Sequence, residues 1–203
     1  MKNLSKAIRH LKEGDPVMAA IIERVGTLKL RQAEPTFESL ARAIVYQQLN
    51  GKAATAIYMR VVAASGGKLT PESVLQVSDE QLRACGLSRA KLAYIRDLAS
   101  RTANGEVKFE SLPDMTDEEV IEHLTRVKGI GIWSAQMFLM SALNRPNVMP
   151  TGDFGIRSAI AKAYRKRKHP THKEMMKMAR RWEPYCSIAC YYLWRSIDPE
   201  SDD

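Results

Sequence analysis

The chain has 203 residues, enough for one domain or two small lobes to bury a core, and carries a net charge of +8 with a pI near 9.5, a balance that suits an anionic partner. No apolar run approaches the roughly 20 residues of a membrane span, and the opening Met1-Lys-Asn-Leu-Ser-Lys lacks the apolar stretch of a secretory signal, so the expectation is a soluble intracellular protein, cytoplasmic or nuclear. The odd set Cys85, Cys186 and Cys190, with no third and fourth ligand beside the last two, argues for buried reduced thiols and against a disulfide framework, zinc or an iron–sulfur cluster.

In chain order, Asp15-Pro16 starts a helix that reaches about Val25, with proline in its first turn. Thr36 then caps a helix whose stripe is Phe37, Leu40, Ala41, Ile44 and Val45. A second stripe, Ala53, Ala54, Ile57, Tyr58, Val61 and Val62, ends at Ser65-Gly66-Gly67. Leu92, Ile95, Leu98 and Ala99 mark another helix, and Val120, Ile121 and Leu124 follow the cap residue Thr116. From Ile132 to Leu143 the sequence is apolar almost all round, which predicts a helix buried on most sides. A loop with Asn144, Pro146, Pro150 and Gly152 follows, and helical pattern returns near Phe154. No stretch alternates as a strand does, so the predicted class is all-α.

Between Arg157 and Arg181 there are ten basic residues against one acid, Glu174. Such a run is either a solvated face or a phosphate-binding one. His10, His123, His169 and His172 have no metal-ligand spacing, and no nucleotide-binding glycine loop is present. Two glycine turns, Cys85-Gly86-Leu87 and Gly129-Ile130-Gly131, each lead into a helix.

The second of these turns lies in Leu124-Thr-Arg-Val-Lys-Gly-Ile-Gly-Ile-Trp-Ser-Ala-Gln-Met-Phe-Leu-Met140, a helix, a tight turn and a buried helix. Its glycines let the backbone approach a phosphate, and the N–H groups opening the next helix face that anion. After it comes Val148-Met-Pro-Thr-Gly-Asp-Phe-Gly-Ile-Arg157, with Asp153 between glycines at a helix start, where a plain N-cap is the bland reading.

Together these segments resemble the helix-hairpin-helix DNA glycosylase superfamily, 3-methyladenine DNA glycosylase II type. The resemblance extends over roughly Pro35 to Trp194, through Ala43-Ile-Val-Tyr-Gln-Gln-Leu-Asn-Gly-Lys-Ala-Ala54, Gly86-Leu-Ser-Arg-Ala-Lys-Leu-Ala-Tyr-Ile95 and the closing Arg181–Trp194 segment. It implies a two-lobed helical fold with the active cleft between the lobes, the lobes being 36–144, with the hairpin at 124–140, and 1–35 plus 145–203. It implies that a base is rotated out of duplex DNA and that Asp153 steadies the positive charge left on the sugar while orienting or deprotonating water. The wall of the base pocket would be Trp133, Trp194 and Tyr46, electron-rich faces for a cationic alkylated base, whereas Trp182 reads as core. Backbone contacts would come from Lys128, Gly129, Ile130 and Gly131 and, at the other turn, from Gly86, Ser88 and Lys91; the minor-groove wedge would be among Gln48, Leu49 and Asn50. Lyase members carry a lysine where Trp133 stands here, so a monofunctional hydrolase acting in base excision repair is implied. No cofactor is required, but carbonyls of Thr125, Val127 and Ile130 are candidates for a structural Na+ or K+. The partner would be double-stranded DNA containing alkylated bases, bound by a monomer with no membrane association. The rival reading is a non-catalytic binder of damaged or branched DNA, against which Asp153 speaks, because a pure binder gains nothing from a carboxylate facing phosphates.

Overall fold

A computed structural model describes residues 4–28, 30 and 33–198. All regular elements among them are helical: α1 (Leu4–Gly14), α2 (Pro16–Val25), α3 (Phe37–Tyr46), α4 (Gly51–Ala64), α5 (Pro71–Gln76), α6 (Asp79–Ala84), α7 (Arg89–Ala103), a 3-10 turn (Phe109–Asp114), α8 (Asp117–Thr125), α9 (Ile132–Ser141), α10 (Phe154–Ala163), α11 (His172–Ala179) and α12 (Cys186–Ile197). None is long and apolar enough to cross a membrane. The helices begin where local chemistry offers an acceptor to the first-turn N–H groups. Asp15, Thr36, Asn50, Ser88 and Asp153 each accept from a first-turn amide, and Thr70, Ser78, Thr116 and Thr171 form reciprocal capping boxes. Each such cap contributes about 1 kcal/mol.

The chain divides into two compact units, Ala33–Phe138 and Met1–Gln32 with Leu139–Asp203. The second dividing point falls inside α9, so the chain passes from one unit to the other within a helix, where no loop residue marks the change. The helix is also less enclosed than its composition predicts. Ala135, Phe138, Leu139 and Met140 are buried, but its first turn exposes Ile132 (62%) and Trp133 (47%).

In the unit Ala33–Phe138, α7 is central, packed by α3, α5 and α6. Leu92, Ile95, Leu98 and Ala99 on α7 and Leu40, Ala41, Ile44 and Val45 on α3 are buried, as the stripes predict. Each large side chain of that kind contributes about 1.5–3 kcal/mol on burial.

In the other unit α12 is central, packed by α10, α2 and α1. The buried Asp15 organises it: Oδ1 caps α2 by accepting from Val17 and Met18, while Oδ2 accepts from the Tyr164 hydroxyl at 2.6 Å and the Trp182 indole N–H at 3.2 Å. Burial, then Asp15, raise the Tyr164 phenol above its ordinary range. Trp182 is fully enclosed, the core role expected of it. The three cysteines are buried and unpaired in disulfides, and burial with nearby Glu183 pushes the Cys186 thiol up to about 12, which keeps it protonated and unreactive.

Candidate active site and nucleic-acid interface

The turn between α8 and α9 is closed by the Val127 N–H on the Leu124 carbonyl and by the Ile130 N–H on Val127. Gly131 occupies the position before α9, its carbonyl accepting the Ala135 N–H at 3.0 Å. A glycine there brings no side-chain acceptor to the opening N–H groups, so that end of the helix keeps its attraction for an anion.

The two glycines differ in what holds them. Gly129 has φ 79°, and a Cβ on it would stand 2.2 to 2.5 Å from the Tyr94 ring. A Cβ on Gly131 would meet nothing within 4 Å, so the packing of the chain does not itself require a glycine there. Three further groups fix the turn from below. The Gln47 amide donates to the Gly129 carbonyl at 3.0 Å, the Tyr94 ring closes against Gly129, and the Asp97 carboxylate accepts the Lys128 backbone N–H at 2.9 Å while also binding Arg101. Burial opposes ionisation of Asp97, but the Lys128 amide and the Arg101 guanidinium outweigh it and hold the carboxyl below the usual range. Lys128 itself is an exposed cation whose Nζ comes no nearer to Asp97 than 3.9 Å.

At the other turn, Gly86 has φ 103° and close clearance to Ile57, and the Ser88 hydroxyl caps α7 by accepting the Lys91 N–H. Lys91, a candidate DNA contact, is half-buried: its Nζ donates to the Val45 carbonyl at 2.7 Å, and burial lowers its pKa. The cause is the end of α3, whose last carbonyls lack intrahelical partners and attract a cation.

At the α3–α4 tip Gln48 is exposed and held at φ 56°, and Leu49 is exposed. The Asn50 side chain is engaged as the α4 cap, accepting from Ala53 at 2.9 Å, which leaves Gln48 and Leu49 as the wedge candidates. Tyr46 packs beneath Arg42, whose guanidinium lies 4.7 Å from the ring, and its hydroxyl pairs with Thr55 at 2.8 Å. Desolvation of that phenol is overcome by Thr55 and Arg42, so its pKa is lowered.

In the other unit the segment before α10 is clamped by the buried Ser187, whose hydroxyl donates to the Arg145 carbonyl at 2.6 Å and accepts the Val148 N–H at 3.0 Å. Thr151 pairs with His172 at 2.7 Å, and the Asp153 N–H closes a turn on Pro150. Asp153 is 7% exposed. Its Oδ1 accepts the Ile156 N–H at 2.7 Å and the Trp194 indole N–H at 3.0 Å, so the carboxylate is pinned in one orientation by two donors. Both the N-cap role and the pairing of Asp153 with Trp194 are therefore present. Gly155 keeps the space: a Cβ there would sit 3.2 Å from both Asp153 Oδ1 and Trp194 Cδ1. Tyr191 packs edge-on against Trp194 at 5.7 Å.

Among the described residues no group of three or more His, Cys, Asp or Glu could hold a metal ion. Sequence reasoning missed the roles of Gln47, Tyr94, Asp97, Gly155 and Ser187. Of these only Gly155 had a local signal, the second glycine flanking Asp153.

A family model described as HhH-GPD superfamily base excision DNA repair protein matches residues 41–184. The DNA-3-methyladenine glycosylase 1 of Schizosaccharomyces pombe is 35% identical over 201 residues, covering 96% of this chain and 88% of that protein. Among solved structures, the Schizosaccharomyces pombe 3-methyladenine DNA glycosylase in complex with abasic DNA matches with a TM-score of 0.83 and 36% identity over 94% of this chain and 95% of that one. A DNA-3-methyladenine glycosidase from Bacillus halodurans matches with a TM-score of 0.85 and 36% identity over 98% and 92%.

Proposed function

Since this chain belongs to the HhH-GPD superfamily of base excision DNA repair proteins, we propose that it is a monofunctional glycosylase that hydrolyses the N-glycosidic bond of alkylated bases, 3-methyladenine and 7-methylguanine in class, in duplex DNA. The observation that carries this reading is the carboxylate of Asp153 held by the Ile156 amide and the Trp194 indole at the start of α10.

Departure of the base leaves an oxocarbenium-like sugar, and a preoriented carboxylate stabilises the charge as it develops and directs a water to it. The product is an abasic site. A base alkylated at a ring nitrogen is cationic, so an electron-rich indole face favours it over a normal base and its departure needs no strong general acid. Extrusion costs a few kcal/mol, which Gln48 or Leu49 offsets by filling the gap in the stack. The hairpin amides and Lys128 grip phosphate without reading bases. Trp133 offers no amine for an imine, so strand cleavage is not part of the reaction.

Incubated with methylated duplex DNA, the protein should release 3-methyladenine or 7-methylguanine and leave heat-labile, unnicked abasic sites. Prompt nicking of the strand would contradict the monofunctional assignment, and no release would leave only a binder.

Main-chain carbonyls such as those of Thr125, Val127 and Ile130 are neutral oxygen donors, the kind of donor a hard cation takes. The Val127 oxygen accepts from Ile130 and keeps a second lone pair. We extend the proposal to a Na+ or K+ held there, with the structural task of joining turn to phosphate. Replacing both ions by choline at constant ionic strength should then weaken DNA binding, and unchanged affinity would remove the ion from the account.

A further inference from the structure

The turn after α10 has an arginine where the backbone favours glycine. The Lys166 N–H bonds to the Ala161 carbonyl at 2.8 Å and the Arg165 N–H to Lys162 at 3.3 Å, the pair of bonds that closes a helix with a left-handed residue. That residue is Arg165, at φ 51°. Glycine adopts this conformation without steric cost and an L side chain does not. A cation kept at such a place is an outlier that asks for a reason outside the fold.

Its surroundings supply one. Of the four cations from Arg165 to Lys168, only Lys166 meets an acid among the described residues, Glu174 at 3.2 Å. Arg165, Arg167 and Lys168 are exposed. The loop is folded back on the first turns of α10, where His169 packs edge-on against Phe154 at 5.1 Å, its Nε2 lies 3.5 Å from the Ser158 hydroxyl, and Arg157 Nε donates to the Pro170 carbonyl. The unpaired cations are thereby tied to the end of α10 that Asp153 caps. Phe154, the residue after Asp153, is 70% exposed, a large ring left in water within a basic field.

We propose that the Arg165–His169 loop and the Phe154 ring form a second contact surface for the same duplex, the cations on backbone phosphates and the ring against a sugar or base edge. This inference rests on the reading of the chain as a DNA glycosylase. Charge complementarity favours DNA as the occupant: ten cations and one acid between Arg157 and Arg181 face a polyanion. An uncharged aromatic within that run adds the sequence-independent packing that base and sugar faces accept.

The test uses the full chain and a duplex with a stable abasic-site analogue, with affinity measured by fluorescence anisotropy over a range of salt and thermal unfolding followed in parallel. Arg165→Gly should keep or raise the unfolding midpoint, because glycine suits the turn, while weakening binding by about 8-fold at 0.1 M salt and lowering the magnitude of the salt slope by about 0.9, the expectation for one lost phosphate contact. A structural role alone would move the midpoint downward and leave the slope as it was. Phe154→Ala should weaken affinity with no change in slope, because the lost contact is uncharged. If the parent binds DNA and releases bases, yet Arg165→Gly has the parental affinity and slope and Phe154→Ala the parental affinity, this inference is overturned while the glycosylase reading stands. A parent that neither binds nor releases bases overturns both.

Discussion

Exchanging Asp153 for asparagine should give a folded protein that still binds DNA but releases alkylated bases more slowly by a factor on the order of 10² to 10⁴, about 3–5 kcal/mol of barrier. The argument turns on what the substitution keeps. Asparagine caps a helix as well as aspartate does, and its carbonyl oxygen can still accept the Ile156 N–H and the Trp194 indole N–H that Oδ1 accepts now. Fold and local geometry therefore survive, and only the negative charge beside the developing sugar cation is removed. Alanine is the less informative choice, because it also deletes the cap, at about 1 kcal/mol, and leaves the indole N–H without its partner, at about 1–3 kcal/mol. Single-turnover release from methylated duplex, measured with the unfolding midpoint and the DNA affinity, separates the two effects. Base release near the parental rate in a well-folded Asp153→Asn protein would take Asp153 out of the mechanism.

The parts of this architecture that were legible in the sequence are those with local causes. Thr36 and Thr116 announce their helices because a cap is a matter of three residues, and Asp15-Pro16 does the same. The short helices α5, α6 and α11 escaped the apolar period, since six to eight residues give it little more than two turns to repeat; their capping boxes at Thr70, Ser78 and Thr171 were the available signal. The order of segments points to Asp153, but its partner Trp194 lies 41 residues away, so the glycine two residues after Asp153 is visible while the indole it must clear is not. Lys91 likewise has a partner that its place after a glycine turn does not announce, the Val45 carbonyl 46 residues earlier. Composition also misplaced water: α9 is apolar almost all round, yet Ile132 and Trp133 stand exposed because they begin the helix at the turn.

Gly129→Ala carries the other large expected effect, and here fold and function fail together. The residue occupies left-handed backbone, which costs an alanine about 1–2 kcal/mol, and the new methyl would lie 2.2 Å from Tyr94 Cδ2 and 2.4 Å from Cγ, far inside contact distance. Tyr94 stands on the central helix α7, beside the buried Leu92 and Ile95, so the ring yields only by distorting a packed element, at about 1–3 kcal/mol more. The summed loss is about 2–5 kcal/mol. The turn moves, and with it the amides and Lys128 proposed to grip phosphate, so DNA affinity should fall as well. Removing the obstruction with Tyr94→Ala in the Gly129→Ala background should recover the steric part and leave the backbone part, a coupling that a double-mutant cycle reads directly. Gly131→Ala separates the two roles, because its Cβ meets open space in the free protein. Its stability should stay near that of the parent while affinity for DNA drops, since the added methyl would stand where a phosphate approaches. Equal affinity for DNA in parent, Gly129→Ala and Gly131→Ala would mean that this turn does not hold the backbone.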